Sequence, residues 1–253
     1  MSKKIINPVI VGAAKNFWTK AGGTNTWPCD IEGAVLLGLP VIIVQLSRLS
    51  VDQIQVWLTQ KNIYLDLGVA NRLLHGMLVT HKDFGIIFMD GSDDMRDRRF
   101  TIAHEVAHFL LNYMLPRQRA LKKLGPQFKE VLDGLREPTI VERVEGILLK
   151  TVTNPRTYLL ERDGEGGFRS QFNWQSENNA DALAVEILAP YRKVCADMPA
   201  ASRSLSYLEA KMKAAQILHD KYLLPASIAE EYSGRIAYLT GGGTTLVDRF
   251  GLK

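Results

Sequence analysis

The apolar positions of the chain fall into short blocks whose period changes along its length. Asp30 stands before an apolar run that ends at Gly38 and Pro40, which predicts a short capped helix through Leu37. The β-branched run PVIIVQL that follows reads as a buried strand. Ser50 with Gln53 three residues on forms a capping box, and Val51, Ile54, Trp57 and Leu58 then share one helical face. Residues 76–80 and 85–89 are strand candidates joined by the turn-like HKDFG.

Beyond Gly91 the period becomes helical. Phe100, Ala103, Ala107, Leu110 and Leu111 recur at the spacing of a helix of about four turns. From Pro116 to Trp174 the chain is charged and interrupted by Pro126, Pro138 and Pro155, with one helix expected over 139–150 and a hairpin at YLLERDGEGGF. A second strongly helical stretch runs over 177–188 and stops at Pro190; further helices reach about Leu239. The pattern predicts an α+β fold: a small N-terminal twisted sheet packed on a mainly helical body. Residues 1–240 read as a single domain, with 116–174 as an insertion and 241–253, opening on GGGTT, as a flexible tail.

Composition changes this picture little. With 253 residues, 46% hydrophobic and 23% charged, the chain can bury a sizeable core. A net charge of +4 is too small to argue for nucleic acid, and the helical run 214–238, which could pass for a helix-turn-helix, has no concentrated basic face. Asn7 and Pro8 interrupt the first apolar run, against a signal peptide, and the longest apolar stretch, 33–46, is too short to span a bilayer. Cys29 and Cys195 form neither a CxxC nor a disulfide framework, so a cytoplasmic setting is expected.

The chemistry lies in HEVAH, residues 104–108. Residues four apart on an α-helix differ by about 40° around its axis, so His104 and His108 point the same way. Both can offer a nitrogen to one zinc ion, while Glu105, offset between them, reaches the water to be activated. The motif alone arises by chance in roughly one chain in a hundred of this length, so it needs a third ligand. His75, His81 and His219 are in no ligand arrangement. Glu177 and Asp181, four apart on the later helix, are. Glu177 is assigned to the metal and Asp181 to the far nitrogen of a ligand histidine, His104, though the reverse is physically allowed. Glu186 lies on the opposite side of that helix. For the oxyanion, His219 and Tyr222, three apart on an expected helix, are candidate donors. Residues 85–89 are either a sheet edge that pairs with an extended substrate or a core strand.

With these motifs in place, the sequence resembles the ImmA/IrrE family of metallopeptidases. The likeness is carried by RRFTIAHEVAHFLL at 98–111 and ENNADALAVEILAP at 177–190, and more weakly by GIIFMD at 85–90 and YLLPASIAEEYSGRIA at 222–237. It covers somewhat under half of the chain. The resemblance implies a zincin-like fold, one zinc held by His104, His108 and Glu177, and Glu105 as base. It also implies a protein substrate: a helix-turn-helix transcriptional repressor cut at one site to release mobile-element or stress genes. The charge and apolar patterns above add the expectation of no membrane and no direct nucleic-acid binding. The alternative is a zincin-like module that sequesters a regulator or toxin without cutting it. Two departures stand out. Ala107 occupies a position where the family often has glycine, and Glu177 lies 177 − 108 = 69 residues after His108. That gap marks 116–174 as an insertion near the site.

Overall fold

The computed structural model describes residues 7–24, 26–148, 156–162, 168–169, 174–200 and 205–240; the expected tail at 241–253 lies outside them. The first described element is α1, Pro8–Lys20, which starts at the pair that interrupts the first apolar run. Asn7 is its N-cap, accepting from the Val9 amide, and Pro8 fills the first turn, where a missing N–H costs nothing. Next come α2 (Ile31–Gly38), β1 (Val41–Leu46) and α3 (Val51–Gln60). Asp30 caps α2 through the Gly33 amide at 3.0 Å, and the Ser50–Gln53 capping box closes on α3 as expected. The strands β2 (Leu74–His81) and β3 (Phe84–Asp90) form a hairpin over Lys82 and Asp83.

The expected motif helix is α4, Met95–His108, capped by the Asp94 carboxylate on the amides of Arg96 and Asp97. It does not stop there. A π-helical turn, Phe109–Met114, leads into α5, Leu115–Leu124, so the backbone stays helical past Pro116 and ends at Gly125 with φ of 88°. Pro116 is tolerated because the wide turn before it already breaks the α-helical hydrogen-bond register. Two short helices, α6 (Phe128–Leu132) and α7 (Ile140–Leu148), precede the strands β4 (Arg156–Arg162) and β5 (Phe168–Arg169). The helices α8 (Trp174–Leu188), α9 (Tyr191–Asp197), α10 (Tyr207–Asp220) and α11 (Ala226–Leu239) complete the described chain.

The fold is α+β, but its sheet is not confined to the N-terminal part. Strand order is β1-β3-β2-β4-β5. β1 runs parallel to β3, and the other neighbours are antiparallel. The hairpin expected at YLLERDGEGGF is β4–β5, and through β4 the long segment after HEVAH joins the same sheet. Two expectations about strands change accordingly. β1 is an edge strand with Ile42 46% exposed, because among the described residues nothing pairs on its outer side. Residues 85–89 lie in β3, between β1 and β2, and so are no open edge.

Side chains alternate across the sheet into two cores. Leu78, Ile87 and Met89 join the larger core with α1, α2, α4 and α8–α11, whereas Met77, Val79, Ile86 and Phe88 pack with Leu49, Ile54 and Leu58 beneath α3. With both faces covered, β2 and β3 read as nearly continuous apolar runs. α4 lies buried between the sheet and α8. Gly76 of β2 permits this approach, since a Cβ there would stand 2.4 Å from the Thr101 methyl and 3.4 Å from a Glu105 carboxylate oxygen.

Candidate metal centre

Burial of α4 carries four polar side chains, Thr101, His104, Glu105 and His108, out of water. Such groups need partners or a task. The two histidines find theirs on each other and on α8. His108 Nε2 lies 3.0 Å from His104 Nε2 and 3.1 Å from Glu177 Oε2, and His104 Nε2 lies 3.3 Å from the same oxygen. A tetrahedral zinc with bonds of about 2.0–2.1 Å keeps its ligand atoms roughly 3.3 Å apart. The three atoms thus form a triangle the size of one face of that tetrahedron, and the donor set of two imidazoles and a carboxylate suits zinc.

Asp181 occupies the position expected beside this cluster. Its Oδ1 is 2.8 Å from His104 Nδ1, so that nitrogen donates and Nε2 is turned toward Glu177. On the other histidine, Nδ1 lies 2.8 Å from the Asn112 side-chain amide, which also lies 2.7 Å from Ser176 Oγ. Sequence reasoning passed over Asn112 and Ser176. The available signal was a lone polar residue four places after His108 in the apolar run FLLNYM, a spacing that an ordinary helix already puts on the ligand face.

Glu105 is different. It is 0% exposed, and its carboxylate oxygens make no well-formed hydrogen bond, only a weak approach from the backbone of Leu78. Burial raises its pKa to about 8; the nearby His104 and, more weakly, the Leu78 backbone oppose that rise, and Glu177 adds to it. Around the triangle the charges are strongly coupled. Burial alone would lower the pKa of His104, but its hydrogen bonds to Asp181 and Glu177 outweigh this and hold it at about 10. Burial lowers that of His108 against its hydrogen bond to Glu177, and the charge on His104 lowers it further. Glu177 itself is pushed up by burial and pulled down more strongly by both histidines, to about 2. Without a metal the two imidazoles therefore carry one positive charge against an ionised Glu177. A dication replaces that proton with a better partner for the same carboxylate.

The other nominated residues lie elsewhere. α10 ends at Asp220, before Tyr222, so His219 and Tyr222 do not share a helical face. The Tyr222 hydroxyl donates to Asp197 at 2.6 Å, and His219 Nδ1 donates to the Leu224 carbonyl at 3.0 Å. Neither partner belongs to the metal cluster, so the expected pair of oxyanion donors is not assembled there. Glu186, set aside from the sequence, is buried on α8 and accepts from the Tyr191 amide at 3.2 Å. His75 pairs with Asp93 at 2.7 Å, away from the ligand triangle. Both cysteines are free thiols, and among the described residues no helix is long and apolar enough to cross a membrane.

The segment between His108 and Glu177 reaches the site through its backbone. β4 pairs antiparallel with β2 from Arg156 to Glu161, opposite Thr80 to Leu74, on the strand whose Gly76 faces Glu105. Comparison with known families gives a match to the family described as IrrE N-terminal-like domain (Peptidase_M78), over residues 62–132. That span runs from before β2 to the end of α6. It includes His104, Glu105 and His108 and stops short of Glu177 and Asp181. The match supports assignment to the ImmA/IrrE family and points to a metallopeptidase-type domain. Neither the curated proteins nor the solved structures give a match.

Proposed function

With an ImmA/IrrE-type peptidase domain as premise, we propose that the protein is a cytoplasmic, zincin-like endopeptidase that binds one zinc per chain and cleaves a regulatory protein, foremost a helix-turn-helix transcriptional repressor. The observation that carries this reading is the ligand triangle of His104, His108 and Glu177 with a fully buried carboxylate, Glu105, on the helix of the two histidines.

His104, His108 and Glu177 would hold the metal, which when bound polarises a peptide carbonyl and makes water a stronger acid. The remaining work falls to the chain. Asp181 holds His104 by Nδ1, so the ring presents a fixed nitrogen. Glu105 takes the proton from the attacking water and returns it to the leaving nitrogen. Its burial suits this role, because a carboxylate taken out of water is a stronger base than an exposed one and so, once ionised beside the metal, accepts that proton more readily. Gly76 lets β2 lie against Glu105 without a side chain between them. We read 1–240 as one peptidase domain and 116–174 as its insertion. β4 of that insertion lies along β2 beside α4, and we assign it the role of covering the cleft.

The test combines metal analysis with cleavage. Purified protein should carry about one zinc per chain, and His104→Ala should lose it. Glu105→Gln should keep zinc and lose cleavage of a co-encoded helix-turn-helix repressor. Cleavage undiminished in Glu105→Gln overturns the mechanism. Tight repressor binding without any cleavage by the zinc-loaded wild type would instead make this a sequestering module.

A further inference from the structure

His104 is backed by a carboxylate, but His108 is backed by an amide. The terminal nitrogen of Asn112, in the π-helical turn, lies 2.8 Å from His108 Nδ1 and 2.7 Å from Ser176 Oγ. Ser176 immediately precedes the ligand Glu177 on α8. We propose that Asn112 and Ser176 form a clasp that sets the tautomer of His108 and seats Glu177 beside it; the inference rests on the zinc site described above.

The chemistry follows from the amide's two ends. As placed, Asn112 Nδ2 donates to His108 Nδ1, which leaves the ring proton on Nε2, the atom facing Glu177. That tautomer has no lone pair for a metal. Rotating the amide by a half-turn exchanges its nitrogen and oxygen within the same volume. Oδ1 then accepts from Nδ1–H of His108 and from the Ser176 hydroxyl together, and Nε2 is freed as a ligand. One side chain thereby serves the metal-free and metal-loaded rings alike, whereas an apolar residue serves neither.

The clasp also answers the length of the insertion. It joins positions 64 residues apart, one turn after His108 and one residue before Glu177. The two ends of the intervening segment are thus tied at the metal centre itself, and Glu177 does not depend on the segment's own conformation to find the histidines. A π-helical turn at this point fits, since such turns recur where helices carry functional side chains. Asn112 and Ser176 are positioning residues, acting only through His108 and Glu177.

The experiment measures zinc affinity of the full chain by competition with a chromogenic chelator, together with His108 15N shifts in the zinc-loaded protein. Asn112→Leu should weaken zinc binding about 10–100-fold. Asn112→Asp keeps an acceptor and should retain wild-type affinity, with Nδ1 as the protonated nitrogen of His108. Ser176→Ala, a small change that serves if Asn112→Leu fails to fold, should weaken binding in the same direction. Unchanged affinity in both Asn112→Leu and Ser176→Ala overturns the clasp while leaving the zinc site standing. So does equal weakening by Leu and Asp at position 112, the mark of a merely structural residue. A wild type that binds no zinc overturns the metal site and the clasp with it.

Discussion

Nδ1 of His104 and Oδ1 of Asp181 lie 2.8 Å apart although 77 residues separate them in the chain. This contact orients the ring whose other nitrogen faces Glu177. Asp181→Ala should therefore lower zinc affinity about 10–100-fold while His104 and His108 remain in place. Asp181→Asn, which still accepts from Nδ1–H, should lose less. Chelator competition on the two variants checks the order; equal affinity in wild type and Asp181→Ala would remove Asp181 from the site.

Glu105→Gln keeps the shape of the side chain and removes its ability to carry a proton. Cleavage should fall about 10²–10⁴-fold at unchanged zinc content. The metal-free variant should also be more stable than wild type at neutral pH. Because folding raises the pKa of Glu105 to about 8, its contribution is full below the ordinary carboxylate range and is lost as pH rises toward and through 8. Urea unfolding of both proteins after chelator treatment measures the difference.

A second buried carboxyl provides a pH effect away from the metal. Glu186 is 9% exposed, and burial raises its pKa to about 7 against the Tyr191 amide and the charge of Arg192. The folded state thus binds this proton more tightly than the unfolded chain does. Wild-type stability should fall between about pH 4.5 and 7, by on the order of 2–3 kcal/mol from this residue. Glu186→Gln should remove that part of the slope. Unfolding midpoints at pH 5 and pH 8, compared between the two proteins, test it; parallel curves would count against a buried acid here.

Gly76 is required by space. A methyl at this position meets the Thr101 Cγ2 at 2.4 Å, on a stiff β-branched side chain inside a buried helix. Gly76→Ala should destabilise the protein by about 1–3 kcal/mol. Thr101→Ser deletes the opposing methyl, so the double variant should recover most of that loss. A double-mutant cycle in urea reads the coupling directly.

Strand β4 covers the β2 edge beside Glu105, so zinc in the intact protein should be slow to leave. Tyr158→Pro with Leu159→Pro removes two successive amide donors, which point to opposite sides of the strand, and one of them serves β2. The rate of zinc extraction by a chelator should rise in this variant with little change in far-ultraviolet circular dichroism. An unchanged rate would show that β4 does not limit access.

What could be read along the chain is what local geometry dictates. The caps at Asp30 and Ser50, the β2–β3 hairpin and the helices around HEVAH and Glu177 follow from turn chemistry and from periods of two and 3.6 residues. The same i, i+4 rule paired His104 with His108, and Glu177 with Asp181, before any fold was known. Where local pattern was ambiguous it misled. Asn7 and Pro8 interrupt an apolar run and yet start α1; the segment expected to begin at Pro116 as an interrupted stretch instead continues the helix through a π-helical turn; Tyr222 stands three residues after His219 but beyond a helix that ends at Asp220.

Other features exist only once distant segments meet. That β4 borders β2, that β3 is interior, that Glu105 is buried, and that Asn112 reaches Ser176 depend on how helix and sheet faces pack. Sequence spacing of two to four residues determines which side chains share a face. The identity of what lies opposite that face is decided by burial of two cores at once, a property of the whole chain that no window of it contains. HEVAH by itself thus marked two candidate ligands and a candidate base; tertiary packing brought Glu177, Asp181 and Asn112 to them.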